Sequence, residues 1–152
     1  MVNTVNHVPD GYHTVTTYLT VRDAVKGIAF YEKAFGATEL TRLADEDGKV
    51  QDAEIKIGDS TIMLSDEFPG AGVTSPQTLG GTSVGVHLFV EDAGALVARA
   101  VAEGAEVLRP VAEQFFGVRN GILRDPFGHR WIVATRTDEV DREETRARFE
   151  AM

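Results

Sequence analysis

The 152-residue chain contains no cysteine. Disulfides, thiolate metal sites and cysteine nucleophiles are thereby excluded. Basic residues are scarce: 15 Lys and Arg stand against 24 Asp and Glu, for a formal net charge of −9. Nucleic acid demands a basic footprint and an anionic membrane surface favours one, so neither partner is expected. No apolar run approaches the ~20 residues that a membrane helix needs. The start, Met1-Val2-Asn3-Thr4-Val5, has no basic segment ahead of an apolar run, so no signal peptide is read there. A soluble, cytoplasmic protein is the expectation. Neither phosphate-cradling glycine loop, G-x-G-x-x-G or G-x-x-x-x-G-K-[ST], occurs, and there is no G-x-S-x-G elbow.

What is present is a repeat. Val21-Arg22-Asp23-Ala24 opens a helical stretch that stops at Gly36-Ala37, and Val90-Glu91-Asp92-Ala93 opens another that stops at Gly104-Ala105. Gly58-Asp59-Ser60 precedes an apolar run, as Gly128-His129-Arg130 does again. The second copy follows the first by 68 to 70 residues. With 43% hydrophobic residues the chain can bury a core, and two copies of one supersecondary unit would share it.

The pattern predicts an α+β fold of two tandem β-α-β-β-β modules. Residues 1–11 read as an N-terminal arm, 12–67 as the first module, 68–81 as a Gly/Pro linker, 82–137 as the second module and 138–152 as a helical tail. Strands are expected at Tyr12 to Val21, Thr38 to Ala44, Val50 to Ile57 and Ser60 to Ser65. In the second module they are expected at Ser83 to Val90, Glu106 to Pro110, Phe115 to Arg124 and Arg130 to Thr135. Asp23 and Asp92 sit where helix N-caps belong, so capping explains this acid pair. Asp45-Glu46-Asp47-Gly48 reads as a β-turn, because the acid spacing of a calcium loop is missing.

YLTVRDAVKGIAFYEKAFGA, IGDSTIMLSDEFP and DPFGHRWIVATR together resemble the vicinal oxygen chelate superfamily, which holds glyoxalase I, bleomycin-binding proteins and extradiol dioxygenases. The likeness is to its PhnB-like branch and covers about residues 10–137. It implies the paired-module fold, with curled mixed sheets around a cleft (the glyoxalase/bleomycin resistance fold), and a homodimer. It also implies metal-ligand positions on the first and last strands of each module, which fall here on Thr16, Met63, Gly85 and Ile132, or Val133 if the register is off by one. None of these is a credible ligand for the divalent ions the family uses. No cofactor is therefore expected. The alternative is a divalent metal at a displaced site drawn from His87, Asp66, Glu67 and His129, whose bland readings are a hydrogen-bonded histidine, loop acids and a turn residue.

Strand alternation places Thr14, Thr16 and Tyr18 together, then Thr61, Met63 and Ser65, then Gly85, His87 and Phe89. Thr16, Tyr18, Met63, Ser65, Phe89, Phe115, Arg119 and Trp131 are the candidate ligand-binding residues. Trp131 and Phe89 read more readily as core than as ligand platform, and Arg119 can equally pair with an acid. His7 and His13 read as structural or exposed. His87 is the candidate catalytic residue, a general base near neutral pH. The expected function is binding of a small, partly aromatic molecule between the modules without the usual metal. The alternative is a lyase or dioxygenase-type enzyme using a displaced metal or His87. A third reading leaves the cleft vestigial. Composition alone does not force a dimer. The resemblance predicts that size-exclusion chromatography with light scattering returns twice the single-chain mass, and a single-chain mass would refute it.

Overall fold

The structure, a computed structural model, describes residues 4–152, and Met1 to Asn3 of the expected arm lie outside them. Two compact units divide between Ser75 and Pro76. The first runs β1 (Tyr18–Thr20), α1 (Ala24–Phe35), β2 (Thr38–Ala44), β3 (Val50–Ile57) and β4 (Ser60–Ser65). Its sheet has the order β1-β4-β3-β2, with β1 parallel to β4 and the other pairs antiparallel. The second runs α2 (Pro76–Leu79), β5 (Gly85–Phe89), α3 (Ala93–Ala102), β6 (Glu106–Gln114), β7 (Val118–Arg124), β8 (Arg130–Arg136) and α4 (Arg142–Glu150). Its sheet repeats the first topology as β5-β8-β7-β6, with β5 parallel to β8. The fold is α+β, built from two four-stranded mixed sheets and four helices.

Local chemistry starts and stops the long helices. Asp23 caps α1 by accepting the Lys26 N–H at 3.1 Å, and Asp92 caps α3 by accepting the Ala95 N–H at 3.0 Å. Gly36 ends α1 in the left-handed region at φ 70°, which a residue with a Cβ enters at a cost. The apolar face of α1 buries Ala24, Ile28, Tyr31 and Phe35 at helical spacing. They meet Leu19, Ala53, Ile55, Ile62 and Leu64 from the sheet, all buried. Each large side chain so buried contributes about 1.5–3 kcal/mol of transfer free energy. In the second unit α3 packs on β6, β7 and β8 with Leu96 and Ala100 buried beside Leu123, Trp131 and Val133.

Asp66 and Thr135 occupy equivalent places, each just past the start of the loop or at the end of its last strand. The Ala24 N–H donates to Asp66 Oδ1 at 2.8 Å, and the Ala93 N–H donates to Thr135 Oγ1 at 2.8 Å. Each side chain ties its module's strand end to the first turn of its helix. Asp66 also accepts the Val50 N–H at 2.7 Å through its second oxygen, and it is buried.

Several expected boundaries shift. The strand expected over Tyr12 to Val21 is confined to Tyr18–Thr20. Pro9 and Gly11 turn the chain, with the Tyr12 N–H on the Pro9 carbonyl at 3.1 Å, and Thr61 Oγ1 holds the Gly11 carbonyl at 3.0 Å. Strand propensity in the Thr-rich run yields to that anchoring. β6 continues past Pro110 to Gln114, because the register slips between Arg109 and Ala112 and accommodates the proline. Gly121 faces that slip, where a Cβ would meet Val111 Cγ2 at 2.9 Å and the Arg109 carbonyl oxygen at 3.0 Å. β7 begins at Val118, since Phe115 and Phe116 belong to the turn before it. The 68–81 stretch carries a 3-10 turn at Pro69–Ala71 and the short α2. No helix among the described residues is long and apolar enough to cross a membrane.

Asp66 should dominate the stability of the first unit. Asp66→Ala leaves two backbone donors without their acceptor and is expected to lower the unfolding free energy by about 3 kcal/mol in urea denaturation. Asp66→Asn, which keeps one acceptor oxygen, should lose less; equal stability of Asp66→Ala and the parent would show that the two bonds do not carry the loop.

Candidate functional site

A cavity of about 470 Å³ lies in the first unit, between the N-terminal arm and the sheet face opposite α1. The arm contributes His7, Pro9, Tyr12 and His13, and the run ahead of β1 contributes Thr14 and Thr16. Glu54 of β3 and Met63 of β4 form the floor. Thr16 and Met63, expected together, are brought together. Tyr18 pairs in register with Met63, and Met63 with Glu54, so the three form one row across the sheet. The Tyr18 hydroxyl donates to Asp52 Oδ1 at 3.0 Å. Burial, together with Asp52, pushes the Tyr18 phenol up from its usual range.

Tyr12 is the unusual group here. Its hydroxyl is buried and has no well-formed hydrogen bond. Burial first, then Glu54, through a side-chain hydrogen-bonding contact and through its charge, and last the Asp52 charge push its phenol up to about 12. His7, Tyr12, His13 and Glu54 were not read from sequence as a cavity. The signal available for Glu54 was the alternation of Asp52, Glu54 and Lys56 on β3, whose other face is apolar.

The second unit presents a different surface opposite α3. Register sets Gly85 beside Arg130 and Arg124, His87 beside Ile132 and Ile122, and Phe89 beside Ala134 and Asn120. The His87 and Phe89 rings lie 4.5 Å apart. Phe89 is 71% exposed. His87 has an exposed edge, yet the burial of the rest of its ring lowers its pKa from the usual value.

Five expected site residues are placed elsewhere. Trp131 is fully buried on the α3 side, and its indole N–H donates to Asp125 Oδ2 at 2.8 Å. It is a core residue because alternation turns it away from Arg130 and Ile132. Ser65 is buried and donates to the Asp66 carbonyl at 2.9 Å. Phe115 packs with Phe116 and with Phe149 of α4, and its carbonyl accepts from Arg148 at 2.8 Å. Arg119 alternates away from Asn120 and approaches Glu113 at 4.0 Å. Asp66 is not a solvated loop acid, since both its oxygens are engaged with backbone.

Within either unit the candidates for a displaced metal have other engagements. Glu67 accepts the Ser75 N–H at 2.8 Å, and His129 sits in a turn whose backbone N–H groups Asp125 gathers. Among the described residues no three His, Asp or Glu side chains converge to hold a metal ion. The family positions do not fit a metal either. A Cβ at Gly85 would stand 2.8 Å from Ile132 Cδ1, and Thr16, Met63 and Ile132 offer no strong ligand atom.

The sequence model of the Glyoxalase/Bleomycin resistance protein/Dioxygenase superfamily matches residues 6–133. The chain belongs to that superfamily. An uncharacterised protein of Mycobacterium bovis is 40% identical over 136 residues, covering 88% of this chain and 90% of the relative. The X-ray structure of an Arabidopsis thaliana gene product superposes with a TM-score of 0.65 at 29% identity, over 81% of this chain and 98% of that one. The PhnB protein of Bacillus cereus shares the fold, with a TM-score of 0.60 at 19% identity over 81% of this chain and 99% of that one. Superfamily membership settles architecture and leaves the reaction to the site.

Tyr12 generates a pH prediction. Its folded-state pKa of about 12 exceeds the ordinary 10.0, so the unfolded chain loses this proton first as pH rises. The native state is then penalised between about pH 10 and 12, and stability falls across that window. Tyr12→Phe should flatten the fall without destabilising the protein at neutral pH, because it removes an unsatisfied hydroxyl. Urea midpoints at pH 8 and pH 11 check it; parallel losses in both proteins would show that Tyr12 is not the group responsible.

Proposed function

We propose that this superfamily member binds a small, partly aromatic molecule and does so without a metal. The observation that carries the reading is the first-unit cavity, with its aromatic and thioether walls and a few polar groups. Binding pockets for small molecules have this mixture, and the volume falls within their usual range. The buried Tyr12 hydroxyl, which has no well-formed hydrogen bond, supplies a polar group beside Glu54, and Glu54 supplies charge. The poor donor character of Thr16, Met63, Gly85 and Ile132 supports the metal-free part of the reading. A homodimer in the cytoplasm is part of the proposal.

One observation favours a second reading, in which His87 acts as a general base in a lyase-type proton abstraction. Its lowered pKa keeps the imidazole neutral at physiological pH, the state in which it accepts a proton.

A panel of small aromatic compounds, screened by thermal shift and followed by methyl NMR of Met63, tests the binding reading. At least one compound should raise the melting temperature and shift the Met63 methyl signal. Met63→Trp, which fills the cavity, should weaken that compound about tenfold or more. Elemental analysis of untagged protein after incubation with nickel, zinc, manganese and ferrous iron should return substoichiometric metal. A stoichiometric ion lost in His87→Ala would move the assignment to metal-dependent chemistry.

A further inference from the structure

The second sheet carries a cation without a counterpart. Arg130 Nε is buried and has no hydrogen-bond partner, and among the described residues no acid forms an ion pair with its guanidinium. The protein is rich in acids, with 24 Asp and Glu against 15 Lys and Arg, and other arginines find them. Arg42 reaches Glu39 at 2.6 Å, Arg124 reaches Glu106 at 3.1 Å and Arg148 reaches Glu144 at 2.9 Å. A buried guanidinium N–H left unpaired loses its hydration with no return. Such groups call for an explanation, and a missing ligand is one.

Geometry supplies the rest. Arg130 lies beside Gly85 in register, and its Nη2 and Nε stand 3.2 and 3.3 Å from where a Cβ on Gly85 would be. A Cβ at 85 would press first on Ile132 Cδ1, at 2.8 Å, and would oblige the guanidinium to give by a few tenths of an ångström, so the glycine leaves it room. On the same face, one register step along β5, stands His87, and Phe89 follows it with the two rings in contact. Ile132 and Ile122 continue this apolar floor across β8 and β7. Arg109, at the far end of the His87 row, donates to the neutral Asn120 Oδ1 at 2.6 Å and brings no acid to the face.

We propose that Arg130, seated over Gly85, is the anchor of an oxyanion site that takes a small carboxylate whose apolar or aromatic body lies against His87 and Phe89. The planar guanidinium matches a carboxylate through paired N–H bonds, and the rings supply the surface that a flat body stacks on. This goes beyond the binding reading by assigning a second site, with a ligand charge of its own. It shares no residue with the first-unit cavity, so the two can fail separately.

The test is an NMR titration of the full-length protein, following the Arg130 Nε–H and His87 ring signals. Benzoate is the probe, benzamide its neutral counterpart and inorganic phosphate a bare oxyanion, all at constant ionic strength. Benzoate should shift both signals saturably and benzamide should shift neither. Phosphate should move the Arg130 signal and leave the His87 ring in place, for want of an apolar body. Arg130→Gln should weaken benzoate by at least about tenfold, Arg130→Lys should weaken it less, and Arg142→Gln at the start of α4 should leave it unchanged. Amide spectra of each variant establish that it is folded. Benzoate binding of equal affinity in Arg130→Gln, or no saturable shift at Arg130 with benzoate, overturns the proposal. Benzamide or benzoate shifting Met63 and Tyr12 alone would overturn it while leaving the cavity reading in place.

Discussion

The register of β8 is the constraint on which the second unit depends, and the buried Asp125 fixes it. One carboxylate oxygen gathers the Phe127 and His129 N–H groups at 2.9 and 3.0 Å, and the other takes the Trp131 indole at 2.8 Å. The turn and the first core residue of the strand are thereby locked to one point. Because side chains alternate, seating Trp131 in the core obliges Arg130 and Ile132 to face the other way. A slip of one residue would bury a guanidinium against α3 and expose the tryptophan.

The two halves share topology and differ in chemistry. The helix start is held by a carboxylate in one and by a hydroxyl in the other, at equivalent positions. The sheet face opposite each helix differs more. In the first unit it carries Asp52, Glu54 and two tyrosine hydroxyls; in the second it carries arginines, a histidine and a phenylalanine. Duplication supplied the frame twice, and the residues that do not serve the core were free to diverge.

Much of the frame was legible from the chain. Asp23 and Asp92 marked the helix starts, Gly36 marked a stop, and the ranges of β2, β3 and β4 follow from local pattern and turn chemistry. The site was less legible. Alternation says which residues share a face but not which face meets the helix, and so Trp131 stood both as a ligand candidate and as core. Phe115 could not be told from a pocket residue without knowing that Phe149 folds back on it. Arg130 was hidden because it read only as the first residue of its strand. Its significance comes from Gly85, 45 positions earlier in the chain, and only parallel pairing puts the two side by side.

Irregularity at β2 and β6 has a consequence for the protein at high concentration. Each forms an outer edge of its sheet, where unpaired backbone could recruit another chain. Neither is a regular template. β2 breaks register twice, at Glu39/Thr41 and Leu43/Ala44, and β6 breaks it at Val107/Arg109 and again around Pro110, which has no N–H to offer. A foreign strand laid along either edge could match only a few residues before losing step, which discourages fibre growth from a β-rich chain whose β2 leaves Leu40 and Leu43 exposed.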